Sequence, residues 1–184
     1  MNLIEAVDDK QRESLLALQS PVQIQEFLDT ISYNGEDLNR SPLHVIQDRQ
    51  CHCLDGGMLA AALLNRLGFS SLLLDLIPVQ GIDDDHVPAI FQSHGLWGAV
   101  AKSNFTGLRY CDPIYRSLRE LVMYYFEAFY NADGIKTLRG YTRPWNLQRF
   151  DPLNWQTTQP GADAVVDRVH RLAPSQSCLK PPFP

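Results

Sequence analysis

The chain has 184 residues, with 45% hydrophobic and 20% charged residues and a formal net charge of −5. This is one domain's worth of chain, apolar enough to bury a core and too apolar for a wholly disordered protein. Eleven Gly and twelve Pro without a period exclude a collagen-like repeat.

The acidic balance argues against a nucleic-acid partner, because phosphates favour basic surfaces. The charge is uneven. Residues 1–100 carry 5 Lys/Arg and 14 Asp/Glu, and residues 101–184 carry 11 and 7. No apolar run reaches the roughly 18 residues that a membrane-spanning helix needs. Glu5, Asp8 and Asp9 stand where a secretory leader places basic residues, so the expectation is a cytoplasmic protein away from membranes. Four cysteines, Cys51, Cys53, Cys111 and Cys178, then read as thiols.

In chain order, a helix is expected over residues 8–19. A second follows from the Ser20-Pro21 cap to Ile31, with Ile24, Phe27, Leu28 and Ile31 on one face. Ser41-Pro42 opens a short helix. Residues 53–67 carry the strongest helical pattern: Met58 to Leu64 are good helix formers, apolar nearly all round, and Gly68 is a natural cap. That predicts a buried helix.

Leu72 to Val79 then reads as one buried strand. Val87–Phe91 and Trp97–Lys102 form a hairpin about Ser93-His94-Gly95. Leu108 to Cys111 is a fourth strand, ended by Asp112-Pro113. Pro88, unable to donate to a ladder, points to an edge or a bulge. Ser117 to Tyr130 is an aromatic-rich helix, residues 131–159 show no period, and Gly161 to Leu172 is a last helix. The domain is set at 1–173, with a Pro-rich tail over 174–184. Helices come first, then adjacent strands, then helices, which is the order of an α+β fold.

Cys53 stands at the start of the buried helix. Unpaired N–H groups and the positive end of the macrodipole favour its thiolate, the nucleophilic form. Taken alone, such a cysteine is more often a small buried hydrophobe. His86, after Asp83-Asp84-Asp85 and before a strand, has the chemistry to take and return a proton. Asp112 at a strand end has the chemistry to hold an imidazole in its useful tautomer, and also that of a turn. Asp75 and Asp85 are alternatives to Asp112, and His94 is an alternative to His86. Gln47 and Gln50, just upstream, are candidate side-chain donors to an oxyanion beside the Cys53 N–H. Trp97 is either a cleft wall or a core aromatic. Cys51-His52-Cys53 lacks the spacing and the second ligand pair of a structural zinc site. No Gly-rich phosphate loop of the Walker or Rossmann kind is present, so no nucleotide cofactor is implied; no metal or other cofactor is expected.

The run Cys53-Leu54-Asp55-Gly56-Gly57-Met58-Leu59-Ala60 through Leu67-Gly68 resembles the nucleophile helix of the transglutaminase-like superfamily of papain-like cysteine enzymes. His86-Val87 resembles its general-base motif, and Asp112-Pro113 resembles its Asp-Pro element. The resemblance covers about residues 45–115, the core of the domain. It departs at Gly56-Gly57, where the family usually has an aromatic residue or alanine. It implies a papain-like α+β fold, with the nucleophile helix packed on an antiparallel sheet between flanking helices. By position it implies Cys53 as nucleophile, His86 as base and Asp112 as orienter. The expected chemistry is hydrolysis or transfer of an acyl group through a thioester, on a peptide, protein or small amide. The alternative is an inactive binding scaffold on the same fold.

Overall fold

The computed structural model describes residues 2–36, 38–171 and 176–177. Short helices α1 (Leu3–Ala6), α2 (Asp9–Leu16) and α3 (Pro21–Asp29) come first, followed by β1 (Ser32–Tyr33), α4 (Pro42–Asp48) and β2 (Gln50–Cys51). Helix α5 (Cys53–Arg66) leads to β3 (Leu72–Leu73), β4 (Leu76–Pro78), β5 (Ala89–Ser93), β6 (Leu96–Val100) and β7 (Cys111–Tyr115). Helix α6 (Leu118–Ala128), β8 (Leu138–Tyr141), β9 (Trp145–Asn146), α7 (Gln159–His170) and β10 (Gln176–Ser177) complete the chain. The fold is α+β, with α5 lying on an antiparallel sheet between flanking helices, as the sequence pattern requires.

The starts of the helices follow local chemistry. Asp8, Ser20, Ser41, Ser117 and Thr158 each accept a first-turn N–H through the side chain, and Pro21 and Pro42 occupy positions where a missing N–H costs nothing. Gly68 follows α5 with φ +90, the left-handed conformation of a helix stop.

The main sheet has the order β7-β6-β5-β3-β9. Alternation along β5 and β6 divides two cores. Ala89, Phe91 and Val100 face the core built on α5 with α3, α4 and α7. Ile90 and Ala99 face a second core that holds Leu121, Val122 and Tyr125 of α6. Helix α5 therefore contributes eleven consecutive buried residues, Leu54 to Leu64.

Three strand expectations need correction. Leu72–Val79 is not one element: β3 and β4 belong to different sheets, with Leu74 and Asp75 between them. The pairing beneath is nevertheless regular, because Leu72 meets Ile90, Leu73 meets Ala89 and Leu76 bridges His86 at constant register. Pro88 sits just before β5, an interior strand, and its carbonyl accepts from Leu74 N–H; the strand starts after the proline, so no interior donor is lost. The fourth strand does not span Leu108 to Cys111: Thr106–Leu108 is a 3-10 turn, and β7 starts at Cys111 and runs through Asp112-Pro113 to Tyr115. Strand β7 is a sheet edge, and its pairing with β6 breaks between Trp97–Tyr115 and Ala99–Cys111, which accommodates Pro113. The hairpin turn is as expected: His94 and Gly95 have φ 51 and 79, matching the twist of a two-residue hairpin.

Gly56 and Gly57 let α5 press on the sheet. A Cβ on Gly57 would lie 2.4 Å from the Val87 carbonyl oxygen, and one on Gly56 would lie 2.4 Å from Lys102 Cβ. Gly57→Val is expected to destabilise the fold by about 2 kcal/mol or more, because a backbone atom cannot yield as a side chain can. Urea unfolding checks this, and an unchanged midpoint would contradict the close approach.

Among the described residues, no helix is long and apolar enough to cross a membrane. Of the expected tail, only 176–177 lie within the described residues; they pair with β8.

Candidate active site

Helix α5 begins at Cys53, with His52 as its N-cap. The Cys53 thiol donates to the carbonyl of Asp85 at 3.7 Å, and its sulfur accepts the backbone N–H of Val87. The nucleophile candidate is thus held at the backbone on both sides of His86. This follows from the close packing at Gly57: one helical turn on, the same helix touches Val87.

His86 is buried, and its N–H and C=O both pair with Leu76. By alternation its side chain lies on the face of Ile90, in the second core, where it meets the Tyr125 ring edge-on at 6.0 Å. Its Nε2 is 2.8 Å from the carbonyl of Leu108. A carbonyl can only accept, so Nε2 carries the proton and Nδ1 holds the lone pair. Burial pushes the imidazole down to about 4, against the opposing pull of the Leu108 carbonyl. His86 is therefore a neutral ring at pH 7, in a defined tautomer.

Burial also pushes the Cys53 thiol up to about 12, and the Asp85 charge adds to this, while the Val87 and Leu54 N–H groups oppose it. The thiol donates its hydrogen bond to the Asp85 carbonyl, so at rest Cys53 is a thiol and His86 a neutral imidazole.

Cys53 opens on a cleft of about 470 Å³. Tyr33, Glu36, Asn39 and His52 line it from one side, and Asp84 and Asp85 from the other. No Lys or Arg is among the described lining residues. A smaller cleft of about 170 Å³ between α1 and α5, near Asn2 and Arg66, holds no nucleophilic side chain.

The remaining sequence candidates fall elsewhere. Asp112 is exposed on β7 and hydrogen-bonds with Tyr110, and the ring nitrogen it was expected to hold is taken by the Leu108 carbonyl. Asp112→Asn is accordingly expected to change Cys53 labelling by no more than about twofold, as for an ordinary surface substitution; a tenfold loss would return Asp112 to the site. Gln47 is exposed on α4, and Gln50 accepts from the Asn34 amide; neither lines the cleft. The oxyanion donors within reach of Cys53 are then the first-turn N–H groups of α5, which helical geometry leaves without intrahelical partners. His94 is exposed in the hairpin turn, and Trp97 packs on the second core rather than the cleft. Asp75 is buried beside the His86–Leu76 bridge, with Oδ1 unpartnered; burial and Asp85 push its carboxyl up to about 7. Cys51 and Cys111 are buried free thiols, also pushed up to about 12 by burial. Among the described residues, no group of three or more His, Cys, Asp or Glu is arranged to hold a metal ion.

Sequence reasoning missed His52, Tyr33, Glu36 and Asn39 in the cleft and the Leu108 carbonyl behind His86. Only His52, adjacent to Cys53, carried a local signal.

No protein-family model matches the chain, and no curated protein matches it. Among solved structures it is similar to Legionella pneumophila LapG, in an EGTA-treated form and in a second structure. Both are 15% identical with a TM-score of 0.40. The likeness covers 53% and 54% of this chain and 65% of each LapG chain.

Proposed function

We propose that this chain is a transglutaminase-like cysteine enzyme that hydrolyses or transfers an acyl group at an amide or related bond. The observation that carries the reading is Cys53 at the head of α5, hydrogen-bonded to the residues flanking a buried neutral imidazole. Cys53 Sγ attacks the acyl carbon as the thiol proton leaves, and His86 is the base that receives it; its ring rests on the sheet face opposite α5, so the proton passes through a water or after the ring turns toward the cleft. The oxyanion meets the first-turn N–H groups of α5. The C–N bond then breaks, His86 returns the proton to the departing amine, and a thioester remains on Cys53. Water or a second amine, deprotonated by His86, releases the acyl group. The Leu108 carbonyl replaces a carboxylate as orienter, so the imidazolium formed in the reaction is stabilised by a dipole instead of a full charge.

Glu36, Asp84 and Asp85 favour a substrate that carries positive charge near the scissile bond. Short basic peptide thioesters are the test substrates. Intact-mass spectrometry is expected to catch an acyl adduct on Cys53 that accumulates faster with basic than with acidic peptides at low salt. No adduct with any of them would overturn the enzymatic reading.

One observation favours a non-catalytic scaffold: burial holds the thiol high and the imidazole low, which disfavours the ion pair of an activated cysteine. Alkylation of Cys53 no faster than that of buried Cys51 would support the scaffold.

A further inference from the structure

The cleft holds a histidine that the reaction above does not use. His52 is the N-cap of α5 and the neighbour of Cys53, and it lines the same cleft. Its side chain caps nothing in the helix. Asp55, at the third helical position, instead accepts the His52 backbone N–H, the reciprocal half of a capping box. Asp55 is fully buried, and its Oδ1 also accepts the Arg40 N–H at 2.9 Å. Its Oδ2 makes no hydrogen bond, yet it faces His52 Nε2 at 3.3 Å, an ion-pair distance without hydrogen-bond alignment. A buried carboxylate oxygen aimed at a cleft imidazole is costly unless that ring brings charge to it.

We propose that His52, held by the buried carboxylate of Asp55, is a positioning residue for Cys53: its imidazolium supplies the positive charge that steadies the thiolate. This rests on the reading of Cys53 as the nucleophile. The Asp85 and Asp55 charges oppose ionisation of Cys53, and the Val87 and Leu54 N–H groups favour it. Asp85 and Asp84 flank it from the loop before β5, Glu36 and Tyr33 lie across the cleft, and His86 is neutral. On the other side, Arg40 favours the charged form of Asp55, and the Arg40 guanidinium is itself shared with Asp48 at 3.1 Å. Burial pushes the Asp55 carboxyl up to about 7, and its carboxylate form, 3.3 Å from His52 Nε2, is the one that holds a charged His52 beside Cys53.

The test follows iodoacetamide alkylation of the full chain from pH 5.5 to 9, with each cysteine quantified by peptide mapping. In His52→Gln the midpoint of the Cys53 rate profile is expected to rise by about one pH unit, roughly a tenfold slower reaction at pH 7. His52→Lys restores a positive charge and is expected to bring the midpoint back to the wild-type value or below. A role confined to packing would move neither midpoint. An unchanged midpoint in His52→Gln, with Cys53 fast in the wild type, overturns this inference alone. A rise that His52→Lys fails to reverse also overturns it. Wild-type Cys53 reacting no faster than Cys51 and Cys111 removes the nucleophile reading and this inference together.

Discussion

Cys53→Ala is expected to abolish thioester formation and turnover, a loss on the order of 10⁴-fold or more for removal of a nucleophile. The fold should be almost untouched. The sulfur makes one weak bond to the Asp85 carbonyl and accepts the Val87 N–H, and each is worth about 1 kcal/mol or less. The contacts that seat α5 are the Gly57–Val87 approach and eleven buried residues behind it, none of which changes. Thermal unfolding of Cys53→Ala should therefore overlay the wild type while the acyl adduct disappears. His86→Gln is the companion variant: its amide can still donate toward the Leu108 carbonyl but cannot accept a proton as a base. It is expected to slow acylation by about a hundredfold or more. Adduct formation retained in both variants would leave the reaction without its two central groups.

Asp75→Asn is expected to stabilise the protein at pH 8 and to change little at pH 4. The Asp75 carboxyl is pushed up to about 7 by burial, then by the Asp85 charge, from an ordinary value of 3.8. Between those values the folded chain keeps a proton that the unfolded chain has lost. The contribution is fully present below about pH 4 and is lost as the pH rises through 7. A carboxyl raised this far costs the folded chain on the order of 4 kcal/mol once it ionises. The amide is never charged, so the variant escapes this loss. His86 acts with the opposite sign: pushed down to about 4, it lowers stability as the pH falls from 6.5 toward 4. Comparing wild type and variant at each pH cancels that contribution. Urea midpoints at pH 4 and pH 8 provide the check, and an equal difference at both would show that Asp75 titrates like an exposed carboxyl.

Much of the frame was legible in the residues themselves. The Ala- and Leu-rich run before Gly68 could only be a buried helix, and Ser or Asp ahead of each helical stretch marked its start. The turn at His94-Gly95 announced its hairpin. The strand at 72–79 misled because only one of its sides is paired at constant register: on the other, the partner changes from β9 to β8 about the buried Asp75, where the chain changes sheets. Asp112-Pro113 misled because a proline stops an interior strand but is tolerated at an edge. The candidates Cys53 and His86 came from their order along the chain and their places at element starts. The partner of His86 was not legible, because a backbone carbonyl leaves no mark in a sequence. Nor were Tyr33, Glu36 and Asn39, which reach the cleft through the parallel pairing of β1 with β2, a contact no local pattern encodes.

The account is tested most directly by a competition among Cys51, Cys53, Cys111 and Cys178 for a limiting thiol electrophile at pH 7, with the modified residue mapped in wild type and in His86→Gln. The account predicts that Cys53 reacts first in the wild type and loses most of its lead in the variant. Labelling spread evenly over the thiols, or a Cys53 rate indifferent to His86, would contradict it.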